Sequence, residues 1–282
     1  ININDIPFKF DIKKGKEEGS FNTQIVTEDI FLAKRILAPF DFKEEISGSS
    51  KFNIRLTLAS FIKEQPLINP EIEVLSDLEG ISIDLPEPLT KSKDSKVNFR
   101  LSFRSSINEP PLLGFKYGDL FRGKFKFQNN ITEGFLIAGK KKQNISIEDE
   151  KILLIGELKK LDLGSFISFG IFGGEGSRNF FIKDLLVQET NLSTLSLLET
   201  KFNSLRTKEG IEYNFINDDI NGKFLVPADN ERNLSFKFDF IKINQSSTRS
   251  KDSFLSLYNG IKDEFDFSTD AIFLNGKNYG NW

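Results

Sequence analysis

The sequence predicts an all-β fold, and three observations carry the prediction. Apolar and polar residues alternate along many short segments, turn residues recur at intervals of about 8–12 residues, and only one segment reads as a helix. Residues 97–104 show the alternation best. Val97, Phe99, Leu101 and Phe103 take one face and Asn98, Arg100, Ser102 and Arg104 the other, because successive side chains leave a strand on opposite sides. Pro86 and Pro88 just upstream cannot donate to a ladder, so they set an extended, turned entry to this strand.

Taken in order, residues 7–12 form a short strand with Phe8, Phe10 and Ile12 on one face, followed by a turn at Lys14, Gly15 and Lys16, and 21–27 extends it. Residues 30–37 are the helix. Thr27 caps its first amides, Glu28 and Asp29 suit its positive end, and Pro39 stops it. Apolar residues surround too much of it for a surface helix, which predicts a plug on the apolar face of the sheet. Gly48, Ser49 and Ser50 open a strand over 52–58, with Phe52, Ile54, Leu56 and Leu58 inward and Asn53, Arg55 and Thr57 outward. Strands follow at 72–75 and 80–85.

Residues 105–118, with Pro110 and Pro111, form the softest seam. Beyond it Phe121, Gly123, Phe125 and Phe127 alternate against Arg122, Lys124 and Lys126, and strands follow at 134–139 and 152–158. Residues 161–166 lead into a glycine-rich stretch at 169–176. Strands at 180–187, 195–202, 210–216 and 220–226 precede 233–243, where Leu234, Phe236, Phe238 and Phe240 point in against Ser235, Lys237 and Asp239. Residues 254–258 and 265–273 complete the series. No strict period marks a solenoid. Residues 1–282 therefore read as one continuous β segment, with both ends cut from something longer.

Composition excludes several classes of function. A net charge of -3 over 282 residues leaves no basic footprint for nucleic acid. With no Cys there is no disulfide, zinc–thiolate site or thiol nucleophile, and with no His the usual general base and commonest metal ligand are missing. Gly170 to Gly176 lacks the Lys and Ser/Thr of a phosphate-binding loop. Paired acids at Glu17/Glu18, Glu44/Glu45 and Asp218/Asp219 sit in polar loops, and 218–221 lacks the alternating oxygens of a calcium loop. No catalytic residue, cofactor or metal is expected. No apolar run reaches the roughly 20 residues of a membrane-spanning helix.

Phe, at 30 residues against 4 Tyr and 1 Trp, falls repeatedly on one strand face. Three arrangements fit: two sheets packed as a sandwich, a transmembrane barrel, or an open trough facing lipid tails. Scarce Tyr and Trp, and strands shorter than the roughly 9–11 residues a barrel needs, count against the barrel.

Residues 76–91, which include Asp77, Leu78, Gly80, Ile81, Leu85, Pro86, Pro88, Leu89 and Lys91, resemble a signature of the YhdP family, large AsmA-like proteins of Gram-negative bacteria. Further likenesses follow in the family's order at 134–139 with 161–163, at 220–227 with 234–243, and at 275–280. The resemblance implies a fragment of the C-terminal half, folded as a long curved antiparallel β-sheet that forms a hydrophobic groove. It implies a non-enzymatic conduit moving phospholipid between inner and outer membranes and supporting the outer-membrane barrier. The full protein would be periplasmic and anchored to the inner membrane through parts outside this chain. Trp residues common after the family's Leu-Asp-Leu segment are replaced here by Phe166 and its neighbours. The expected floor is Phe52, Ile54, Leu56, Leu58, Val97, Phe99, Leu101, Phe103, Phe125, Phe127, Leu234, Phe236, Phe238 and Phe240. Phospholipid is the expected partner and nucleic acid is not. A non-catalytic β-sandwich module of a surface or adhesive protein, binding glycan or protein, is the competing reading.

Overall fold

A computed structural model describes residues 2–3, 6–7, 11–17, 20–32, 45–62, 65–67, 70–105, 109–128, 131–140, 145–147, 151–168, 180–192, 195–228, 234–243 and 265–282. Strands account for most of the described residues and the one described helix has six, so the all-β expectation holds. The chain divides into two compact units, one of Ile1–Leu85, Leu89–Leu136 and Asn144–Glu150, the other of Pro86–Pro88, Ile137–Gln143 and Lys151–Trp282.

In the first unit the strands are β1 (Asn2–Ile3), β2 (Ile6–Pro7), β3 (Asp11–Glu17), β4 (Ser20–Leu32), β5 (Ile46–Ile62), β6 (Gln65–Leu67), β7 (Glu71–Ser76), β8 (Ile81–Ile83), β9 (Phe99–Arg104), β10 (Leu112–Tyr117), β11 (Phe121–Gln128) and most of β12 (Ile131–Ala138). The 17-residue β5 organises them. It runs antiparallel to β4 along one side and pairs in turn with β6, β7 and β8 along the other. The ladder then continues antiparallel from β7 through β9 and β10 to β11, with β12 beside it.

The second unit contains β13 (Ile152–Asp162), helix α1 (Leu163–Ser168), β14 (Phe180–Leu192), β15 (Leu195–Arg206), β16 (Gly210–Ile216), β17 (Ile220–Pro227), β18 (Leu234–Ile243), β19 (Phe265–Thr269), β20 (Ile272–Leu274) and β21 (Lys277–Asn278). Strands β14 to β18 are successive antiparallel neighbours. By contrast β13 pairs parallel with β14, and β18 pairs parallel with β19 and β20. Most other pairs are antiparallel, in keeping with the expected antiparallel sheet. A parallel pair needs a connection of a dozen or more residues, and 163–179 and 244–264 supply that length.

Several local expectations are corrected. β4 continues as strand to Leu32, paired with β5 as far as Ser49, and residues 33–37 lie outside the described residues. Cross-strand hydrogen bonding overrides the capping signal, and Thr27 is buried in the sheet. The helix forms instead at Leu163–Ser168, where Asp162 caps it: the Ser165 amide donates to Oδ1 at 3.0 Å and its hydroxyl to Oδ2 at 2.7 Å. Lys14, Gly15 and Lys16 lie within β3, and Gly48 to Ser50 within β5. The stretch read as a seam carries β10, which is paired along its whole length on both sides. The strand at 254–258 and the glycine-rich stretch fall outside the described residues.

Candidate functional site

On the first unit's sheet, strand register builds apolar rows that run across the strands, because directly opposed residues share a face. Ile25, Leu56, Ile72, Phe103, Leu113 and Phe125 are opposed in sequence from β4 to β11. Thr27, Ile54, Val74, Leu101, Phe115 and Gly123 form a second row beside them. Ser76, Phe99, Tyr117 and Phe121 form a third, and Phe99 meets Phe115 edge-on at 6.0 Å between centroids. Gly123 and Gly134 clear the ground for Phe125. A Cβ at Gly134 would lie 2.8 Å from the Phe125 ring and 2.3 Å from the Lys124 carbonyl oxygen.

The three rows differ in cover. Over the third lies the signature segment, which acts as a clasp. Leu78 and Ile81 join Ile46, Phe52 and Tyr117 in a buried cluster, and Ile83, Val97, Phe99, Leu120 and Phe121 pack around it. β8 is pinned to the start of β5, and the Val97 amide donates to the Asp77 carbonyl at 2.8 Å. Gly48 and Gly80 approach so closely that a Cβ on Gly48 would sit 2.1 Å from the Gly80 carbonyl oxygen, and both have φ near +90°. Leu78 takes a left-handed φ of 53°, which costs about 1 kcal/mol and is offset by burial of its side chain. Inside the clasp, buried Lys91 donates from Nζ to the carbonyls of Ile81 at 2.8 Å and Ser92 at 3.0 Å. Desolvation lowers the Lys91 pKa, although Asp77, Asp94 and Glu79 oppose the shift.

Cover thins away from the clasp. Phe52 is 5% exposed, whereas Ile72 in the first row is 37% exposed and Phe127, next after Phe125 on that face, is 39% exposed. Ile54, Leu56, Phe99, Leu101, Phe103 and Phe125 are half-buried and share the face as expected. Val97 precedes β9 and belongs to the clasp cluster. Leu58 lies in β5 and Leu234 in β18, but the side chains of both are outside the described residues. Sequence reasoning missed Ile72, Val74, Leu113, Phe115 and Tyr117 as members of the face. Alternation at 113, 115 and 117 was the available signal, hidden by the prolines before it.

The second unit is different. Tyr213 stacks on Phe224 at 4.7 Å between centroids, Phe224 on Phe236 at 5.8 Å, and Phe215 meets Phe238 edge-on at 5.6 Å. Phe236 and Phe238 are 6% and 3% exposed, so these two expected floor residues are buried core. Phe240 leaves their face altogether. Asn221 opposes Phe240 while Gly222 opposes Phe238, a bulge at Asp239 that reverses the alternation and turns Ile241 inward. The Phe240 ring instead lies 5.0 Å from the Lys242 ammonium.

No group of metal-ligating residues occurs among the described residues. Asp218 and Asp219 sit in the β16–β17 turn, where the Asn217 side chain accepts from the amides of Asp219 and Ile220. No described helix is long and apolar enough to cross a membrane.

A family model described as YhdP protein matches residues 1–282. No curated protein and no solved structure matches the chain.

Proposed function

Because the chain belongs to the YhdP family, we propose that its first unit carries phospholipid acyl chains on its apolar face, as one non-catalytic segment of a conduit between inner and outer membranes. The observation that supports this reading is the exposure gradient across the transverse rows. A closed core would bury Ile72 and Phe127 as deeply as Phe52. Removing a 16-carbon tail from water is worth roughly 12 kcal/mol at about 0.8 kcal/mol per CH2, and an apolar floor supplies that without any directional bond. The tail then slides along the row with little change in energy. Such work asks for no catalytic residue and no cofactor. The lipid-bearing residues on this reading are Ile54, Leu56, Ile72, Leu101, Phe103, Leu113, Phe125 and Phe127. The whole protein would act in the periplasm, held at the inner membrane, and would support the outer-membrane barrier.

The buried aromatic stack of the second unit favours a closed module there, and the conduit proposal is therefore confined to the first unit. Native mass spectrometry of the chain purified from bacterial membranes tests the reading. Phospholipid is expected to remain bound. A chain that is lipid-free, and that takes up no fluorescent phospholipid from vesicles, overturns it.

A further inference from the structure

The face of β9, β10 and β11 opposite the apolar rows has a separate character, and we propose that it docks onto an anionic bilayer surface. Six cations point from it: Arg100 and Arg104 on β9, Lys116 on β10, and Arg122, Lys124 and Lys126 on β11. The acids facing them are Glu71 and Glu73 on β7 and, on the far side of β11, the buried Glu133 on β12. Glu73 pairs with Arg100 at 2.7 Å and Arg55 at 3.4 Å, and Glu71 pairs with Arg104 at 3.4 Å. Lys116, Lys124 and Lys126 have no carboxylate within ion-pair reach among the described residues. The chain as a whole carries a net charge of -3, so the patch is a local segregation of charge.

Register crowds like charges on this face, although Glu73 offsets Arg100. Arg100 is opposed by Lys116, and Lys116 by Arg122, so three cations stand side by side across three strands. Like charges directly opposite destabilise a sheet. An external anion relieves that repulsion.

Shape identifies the anion. Strands about 4.8 Å apart and alternate residues about 7 Å apart spread the six charges over a patch of about 10 by 14 Å. Neighbours lie within the Debye length of about 8 Å at physiological salt, so they act together. Two dimensions suit a plane of acidic headgroups better than an acidic peptide, which follows one line. Leu112 lies between Arg104 and Lys126, and half-exposed Leu75 is opposed to Arg100, giving the patch the mixed cationic and apolar make-up of an interfacial surface. A depression of about 640 Å³ opens beside it, lined in part by Lys51, Asn53, Asn98, Arg100 and Lys116. Asp77 and Glu79 also line it, and Lys96 pairs with both, at 3.6 and 2.7 Å.

Docking is measured by flotation with vesicles, without lipid transfer, so its failure leaves the conduit proposal standing. The chain is expected to float with phosphatidylcholine vesicles containing about one-third phosphatidylglycerol, to release as salt rises, and to ignore pure phosphatidylcholine. At about fivefold per charge, K116Q/K124Q/K126Q is expected to weaken binding about 100-fold and K116E about 30-fold. K116E also alternates the sign along Arg100, Lys116 and Arg122, so its melting temperature is expected to rise while vesicle binding falls. Equal binding to neutral vesicles, unchanged binding by K116E, or capture of polyglutamate with no binding to the anionic vesicles would each overturn the proposal.

Discussion

Replacing Ile72 by Asp distinguishes a lipid-bearing face from a protein core. Ile72 sits third in the outermost row, between Leu56 and Phe103, and is already 37% exposed. Complete burial of an Ile is worth about 1.5–3 kcal/mol, so the substitution forfeits about 1–2 kcal/mol, less than the roughly 5–15 kcal/mol that holds a domain together. The chain stays folded. A bound tail loses more. The row from Ile25 to Phe125 crosses five inter-strand steps of about 4.8 Å, about 24 Å in all, whereas one tail spans about 15 Å, half of a bilayer core of about 30 Å. A carboxylate in mid-row strips contact from about four methylenes, about 3 kcal/mol or roughly 150-fold in affinity. Co-purified phospholipid, transfer of fluorescent phospholipid between vesicles and thermal unfolding are measured on Ile72→Asp and, as a control, on Phe238→Asp. Phe238→Asp puts a charge into a stack where Phe238 is 3% exposed, and it is expected to unfold the second unit. Wild-type lipid load in Ile72→Asp, or unfolding of both variants alike, refutes the reasoning.

Two further outcomes are expected. Lys91→Ala removes both hydrogen bonds from Nζ inside the clasp, and relief of the buried ammonium's desolvation limits the net loss to about 1–2 kcal/mol. Amide exchange at Gly80, Ile83 and Val97 should quicken well before that of β9, and protection equal to that of β9 would mean that Lys91 does not hold the clasp. Burial pushes the pKa values of Tyr117 and Tyr213 up to about 12, so the folded chain holds both phenolic protons more tightly than the unfolded chain. Stability from these groups is complete below about pH 10 and is lost as pH rises towards about 12. Tyr117→Phe and Tyr213→Phe should each flatten that decline in denaturant midpoints, and an unchanged slope in both would contradict the burial effect.

Strand faces were legible because the period of two survives any packing. Phe99, Leu101 and Phe103 share a side in the sequence pattern and in the sheet. What overlies a face was not legible, since that depends on distant residues: Phe52 and Ile54 belong to one pattern, yet the clasp buries Phe52 and leaves Ile54 partly open. Helix and strand were confused at Ile30 to Leu32, where a capping signal of a few residues competed with a partner strand that starts at Ile46. Pro110 and Pro111 marked a break where they precede a fully paired strand, and the Pro111 carbonyl accepts from the Phe127 amide. Nothing local announces the bulge at Asp239, which carries no Gly or Pro, so Phe240 was placed on the wrong face. Parallel pairing depends on the path of long connections, which alternation does not encode.

The uneven cover of the first unit has a consequence for traffic. A platform covered along one side and more open along the other can be loaded sideways. For a tail carried as proposed, the more exposed margin near Ile72 and Phe127 would be a doorway, whereas Leu78 and Ile81 would form a kerb. Cargo that steps on and off laterally need not be threaded from an end, and a tail held up ahead need not stop those behind it.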